Sequence, residues 1–142
     1  MHLWVLIQPI HERSDIRNVY PAEYLAVKIL TVYATAAVMD GILGETNALT
    51  TIKRANPDHP GYKHCLRLYD VITDGSYHGP HICLITNVLG ANIHSLRRQL
   101  PNGQCIFSVA LAKRIIKQTL LALDYLHREC GLVHTGMDSF CL

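Results

Sequence analysis

Hydrophobic and polar positions divide the chain into short apolar runs in its first two thirds and one long run of helical period near its end. Tyr24 to Leu30 (Tyr-Leu-Ala-Val-Lys-Ile-Leu) has the pattern of a buried strand with a single charge inside it. From about residue 36 to 53, Val38, Ile42, Leu49 and Ile52 recur at steps of 4, 7 and 3, which predicts one helix with these residues on one face. Gly41 and Gly44 weaken that helix by about 1 kcal/mol each relative to alanine, so packing has to hold it. Asn56-Pro57-Asp58-His59-Pro60-Gly61 is a breaker and loop signal. Two strands follow, over Cys65–Val71 and Ile82–Thr86, with Thr73-Asp74-Gly75-Ser76 and Gly79-Pro80 reading as a hairpin connection.

A short polar helix is expected near Ile93–Gln99, ended by Pro101-Asn102-Gly103. Ser108 opens the clearest element, a long helix running to about Cys130 and stopped by Gly131. Its apolar face carries Ala112, Ile115, Ile116, Leu120, Leu123 and Leu126; Lys113, Arg114, Lys117, Asp124 and Arg128 lie opposite. Residues 1–20 are the hardest part to place: an apolar run, Leu3 to Ile7, and then the charged segment His11-Glu12-Arg13-Ser14-Asp15. Strand, helix, hairpin, then helices is an α+β order.

Composition narrows the class. The 142 residues are 49% apolar and 17% charged, which suits one globular unit rather than a disordered chain. A net charge of +2, with no aromatic residues interleaved among the basic groups, argues against a nucleic-acid partner. Five cysteines form no CxxC pair, the usage of a reduced intracellular protein. The run Leu3 to Ile7 is broken by Gln8-Pro9 and is too short for a secretory signal, and nothing reaches the roughly 18 consecutive apolar residues of a membrane span. A soluble chain without a membrane role is therefore expected.

Two charges in apolar surroundings carry the chemistry. Lys28 sits between Val27 and Ile29, and Glu45 falls in step with Val38, Ile42, Leu49 and Ile52. A lone buried charge is costly, so each needs a partner. Either they face each other as an ion pair, or Lys28 is an edge-strand charge and Glu45 lies at the rim of a loosely packed helix. The pattern alone does not choose.

The wider order of motifs does. Leu25-Ala26-Val27-Lys28-Ile29-Leu30 resembles the Val-Ala-Ile-Lys strand of protein kinases. His81-Ile82-Cys83-Leu84-Ile85-Thr86-Asn87-Val88-Leu89-Gly90 is similar to their adenine-holding strand and hinge. Leu123-Asp124-Tyr125-Leu126-His127 with Gly131-Leu132-Val133-His134-Thr135 resembles the helix and entry to the catalytic loop. Leu68-Tyr69-Asp70, Tyr77-His78-Gly79-Pro80-His81-Ile82-Cys83, Val88-Leu89-Gly90 and the pair His134-Thr135 point to the SR-protein kinases, particularly fungal-type relatives. The resemblance covers roughly residues 24–135.

It implies a kinase-like small lobe and hinge over 24–90, the start of the large lobe over 91–142, and a divergent segment over 1–23. It further implies that Lys28 contacts ATP phosphates, Glu45 orients Lys28, Thr86 is the gatekeeper behind adenine, and Asn87 and Leu89 offer backbone bonds to the adenine edge. His134 would be the structural histidine of the loop. The substrates implied are Arg/Ser-rich splicing-type proteins, in the cytoplasm or nucleus.

The chain also departs from that pattern. The first glycine is Gly41, after the lysine strand, so residues 1–23 hold no glycine-rich phosphate loop. After His134-Thr135 the family places an aspartate base, and Gly136 stands there; Asp138 is a poor substitute, since a base depends on reach. The remaining loop residues and the metal-binding motif are not found in 136–142, so magnesium has no obvious ligands. The apolar face of the long helix is expected to stay exposed, to bury against the small lobe or to find a covering partner. Zinc is the competing idea, since His127-x2-Cys130-x3-His134 has a ligand-like spacing, but no second tight pair accompanies it. Two readings remain: a truncated serine/threonine kinase domain, catalytically impaired, or a non-catalytic kinase-like module that binds a nucleotide or a protein.

Overall fold

The computed structural model describes residues 3–7 (as backbone), 24–100 and 106–134. They form two compact units, one of residues 1–53 and 66–88, the other of 54–65 and 89–142. The α+β class holds.

The first unit is a four-stranded antiparallel sheet with two helices. Strand β1 is Leu3–Ile7, β2 Leu25–Ile29, β3 Leu68–Ser76 and β4 Gly79–Asn87, in the spatial order β1-β2-β4-β3. The apolar run that the sequence left unplaced is thus an edge strand, with Val5 opposite Val27 and Trp4 opposite Lys28. The other members of the 1–23 segment lie outside the described residues. Central β4 is buried from Ile82 to Thr86, because both faces of the sheet are covered there. Leu30, Leu49, Leu68, Ile82 and Leu84 make one core cluster, joined by Ala34, Val38 and Ile52. Leu25, Val27, Cys83 and Ile85 make a second.

The single helix expected over 36–53 is two. Helix α1 is Val32–Met39 and α2 is Glu45–Arg54. Thr31 caps α1, its side chain accepting from the Ala34 amide at 3.3 Å. Gly41, at φ +73°, ends it: the Ile42 amide donates to the Ala37 carbonyl (2.8 Å) and the Gly41 amide to that of Val38 (3.1 Å). That is the Schellman pattern, in which a left-handed glycine satisfies the last free carbonyls. Gly41 is therefore a stop, not a tolerated weak point, and Ile42 is 75% exposed rather than on a buried face.

The hairpin is also longer than its turn residues suggested. Asp74 and Gly75 remain in the ladder, opposite His81 and Pro80, and only Tyr77 and His78 lie between the paired Ser76 and Gly79. Gly79 has φ +126°, a conformation other residues rarely adopt, which is what allows so tight a reversal.

In the second unit, Asn92 caps the short helix α3 (Ile93–Arg98), its side chain accepting from the Ser95 amide at 2.8 Å. Ser108 caps the long helix α4 (Val109–Arg128) through the Leu111 amide at 3.3 Å. The residue of α4 that is fully buried is Tyr125, not a member of the expected apolar face, on which Ile116 and Leu120 are each more than half exposed. Tyr125 is buried by the loop 54–65, which folds onto α4 and contains a single turn of 3-10 helix, Tyr62–His64. Gly61 permits this: a Cβ there would lie 1.9 Å from the Leu121 carbonyl oxygen and 2.8 Å from Tyr125 Cβ. Pro101-Asn102-Gly103 lies outside the described residues. Among the described residues, no helix is long and apolar enough to cross a membrane.

Candidate functional site

Lys28 is the fourth residue of β2, and strand alternation fixes where its stem points. Its cross-strand partner is Leu84, while Ala26 is paired with Thr86. Directly opposed residues share a face, so Lys28, Leu84 and Thr86 all face the side on which Leu30, Leu49 and Ile52 pack. Glu45 is the first residue of α2, where an acidic side chain also complements the positive end of the helix. The Lys28 ammonium lies 2.5 Å from Glu45 Oε1. The ion pair that the sequence left as one of two options is present, although Glu45 reaches it from a helix start and not from mid-helix.

The pair is unequally covered, with the lysine side chain 12% and the glutamate 41% exposed. A partly exposed pair of this kind is worth only about 0.2–1 kcal/mol, so stability is a weak reason for placing a cation in an apolar strand.

Thr86 is 1% exposed, and its hydroxyl donates to the Asn87 carbonyl at 3.2 Å. A carbonyl has two lone pairs, so this bond leaves the Asn87 oxygen able to accept another. Asn87 is itself pinned to the segment before β3. Its side-chain oxygen accepts from the Arg67 amide at 2.8 Å, and its own amide donates to the Arg67 carbonyl at 3.1 Å. Lys28, Glu45, Thr86 and Asn87 therefore all sit in the first unit, whereas Leu89 and His134 belong to the second and are exposed to solvent. Gly136 and Asp138 lie outside the described residues.

Two polar groupings were not foreseen. At the start of β4, His81 Nδ1 is 2.7 Å from the Leu30 carbonyl and Nε2 is 2.8 Å from the Ser76 hydroxyl. The buried Thr35 hydroxyl accepts from the Ile82 amide at 3.0 Å. In the second unit, His59 Nδ1 accepts from the Gly61 amide (3.0 Å) and Nε2 faces Asp124 at 3.2 Å; Asp124 also takes Arg128 Nε at 2.8 Å. Tyr125 packs beside the rings of His59 and Tyr62, at centroid distances of 5.4 and 5.7 Å. Burial, and then a hydrogen bond with Cys130, pushes the Tyr125 hydroxyl well above its ordinary pKa. Burial, with Cys130 a lesser cause, raises the Cys65 thiol to about 11. Histidine spacing in the sequence carries no sign of either grouping, because each joins residues from separate elements.

The comparisons with known proteins agree with the order of motifs. No family model matches the chain. It is 38% identical over 95 residues to the protein kinase dsk1 of Schizosaccharomyces pombe, a match covering 67% of this chain and 17% of that protein. To the serine/threonine-protein kinase SKY1 of Saccharomyces cerevisiae it is 36% identical over 80 residues, covering 56% of this chain and 10% of the relative. To the serine/threonine-protein kinase SRPK of Physarum polycephalum it is 36% identical over 94 residues, covering 66% and 21%. The chain thus spans about a fifth or less of the length of these curated relatives. An antiparallel sheet with the lysine strand at its centre, a glutamate from the adjoining helix on that lysine, and these matches lead to one assignment: the chain belongs to the SR-protein kinase family of serine/threonine protein kinases.

Proposed function

We propose that the chain carries the nucleotide-gripping part of a kinase domain, with phosphoryl transfer impaired by the loss of its base. On this reading residues 24–90 are the small lobe and hinge, 91–142 the start of the large lobe, and 1–23 a divergent segment leading into the lysine strand. Lys28 donates to ATP phosphate oxygens, and Glu45 holds the ammonium in place from the other side. Thr86 limits the space behind adenine, and the backbone of Asn87 and Leu89 pairs with the adenine edge. The observation that carries the proposal is the ion pair at 2.5 Å between Lys28 and Glu45. An ammonium already held in place by a carboxylate loses little freedom on meeting a polyphosphate.

Phosphoryl transfer is mainly positioning and charge stabilisation, with an aspartate accepting the substrate hydroxyl proton. Gly136 occupies that position in the family order and has no side chain to accept a proton. That single substitution favours a non-catalytic, pseudokinase-like role in binding a nucleotide or a protein over turnover. By family, ATP with magnesium is the cofactor, Arg/Ser-rich proteins are the substrates, and the setting is intracellular. Residues 136–142 offer no matching magnesium ligands, so no magnesium site is assigned to this chain.

The test combines binding with turnover. ATP should displace a fluorescent ATP analogue from the chain, and Lys28→Ala should abolish that displacement. Incubation with ATP, magnesium and an Arg-Ser-rich peptide should give no phosphopeptide above the Lys28→Ala background. Analogue binding that ignores Lys28 would overturn the site, and turnover above background would overturn the impairment.

A further inference from the structure

We propose that His81, through its Nδ1–H, is a positioning residue for the Lys28–Glu45 ion pair; the consequence for nucleotide rests on the function proposed above. The Leu30 carbonyl can only accept, so the ring nitrogen 2.7 Å from it, Nδ1, carries the hydrogen. In the neutral ring, Nε2 is then the acceptor, and the Ser76 hydroxyl 2.8 Å away donates to it in preference to the Gly79 carbonyl, which lies farther off at 3.3 Å. Ser76 thereby orients the imidazole, and the imidazole holds Leu30. Two further bonds fasten the same place: the Leu30 amide donates to the Ile82 carbonyl at 2.9 Å, and the Ile82 amide donates to the buried Thr35 hydroxyl at 3.0 Å.

Residues 30–35 are in this way tied to the start of β4, immediately after the lysine strand. This matters because Lys28 and Glu45 are 17 positions apart in the chain. The ion pair closes a loop, and a partly exposed pair has little energy with which to oppose the freedom that closure removes. Fixing the first part of the loop shortens the segment that remains free and directs α1, and hence the start of α2, toward the lysine. Unlike a generic turn contact, the bond depends on which ring nitrogen bears the proton.

The tautomer is read directly by long-range ¹H–¹⁵N correlation of the His81 ring in the unmodified chain. Nδ1–H is expected, and Nε2–H would overturn the proposal. Two variants then separate the nitrogens. His81→Asn puts an amide N–H near the Nδ1 position, and His81→Gln puts one near Nε2. The ion-pair readout is the ¹H–¹⁵N signal of the Lys28 ammonium, identified by its loss in Glu45→Gln. It should persist in His81→Asn and disappear in His81→Gln, and the melting shift caused by ATP should follow the same order. Identical behaviour of the two variants would overturn the proposal. If the glutamine variant does not fold, the tautomer and the asparagine variant decide. Absence of an ATP shift in the unmodified chain would count against the nucleotide site alone, because the ammonium signal judges His81 independently.

Discussion

Replacing Gly61 with alanine sets two physical effects against each other. Gly61 has φ −78° and ψ −24°, a right-handed conformation in which alanine is at ease. Were that all, the substitution would stabilise the protein by about 0.4–1 kcal/mol, because alanine restricts the unfolded chain. The added Cβ, however, would meet the Leu121 carbonyl oxygen at 1.9 Å, the Leu121 carbonyl carbon at 2.7 Å and Tyr125 Cβ at 2.8 Å. The first two of these atoms are backbone in the middle of α4 and cannot turn aside. Relief therefore requires the loop 54–65 to lift from the helix, which loosens the contacts of His59 and Tyr62 with Tyr125. Overpacking of this kind costs about 1–3 kcal/mol or more. For a chain of this size that is a fall in Tm of roughly 3–12 °C. Thermal melting followed by near-ultraviolet circular dichroism of the tyrosines measures it. An unchanged or raised Tm would show that the loop does not lie on α4 as described.

Other outcomes follow from the same geometry. Thr35→Val keeps the shape but removes the acceptor for the buried Ile82 amide, and should cost about 1–3 kcal/mol in urea denaturation; a neutral result would mean that amide finds water. Tyr125→Ala should cost about 3–5 kcal/mol, as for other large buried aromatics, whereas Ile116→Ala on the exposed side of α4 should change stability little. The Cys65 thiol, raised to about 11 chiefly by burial, favours the folded state while neutral. Its contribution is complete below the ordinary thiol pKa of 9.0 and is lost as pH rises toward 11, so alkaline unfolding over that window should weaken in Cys65→Ala. Glu45→Gln should lower stability by less than about 1 kcal/mol in the same denaturation assay; a larger loss would mean the pair is structural.

What could be read in the sequence depended on whether the signal was local. The long helix was legible because Ser108, twenty residues of helical pattern and Gly131 mark both of its ends. Lys28 was legible because a charge inside an apolar strand asks for a partner. The break at Gly41 was not, since apolar spacing ran on through it at helical period. A glycine that is merely tolerated and one that stops a helix are told apart by φ and hydrogen bonds, not by neighbours. Asp74-Gly75 carries a strong turn signal, yet pairing with β4 keeps it extended and moves the reversal to Tyr77 and His78. Tyr125 was missed for the opposite reason: its cover comes from a loop some sixty residues earlier, and only a missing Cβ at Gly61 lets the two meet. Glu45 meets Lys28 from the start of α2 and not from one helix over 36–53, so the need of a buried cation for a counter-charge is a stronger signal than helical register.

The measurement that tests the central claim most directly is the change in Tm on adding ATP to the unmodified chain and to Lys28→Ala. A ligand at 100 times its Kd stabilises by about 2.7 kcal/mol, a shift of several degrees here. The Lys28–Glu45 site predicts that shift in the unmodified chain and its loss in Lys28→Ala, each measured against the same protein without ATP. A shift of equal size in both would contradict it.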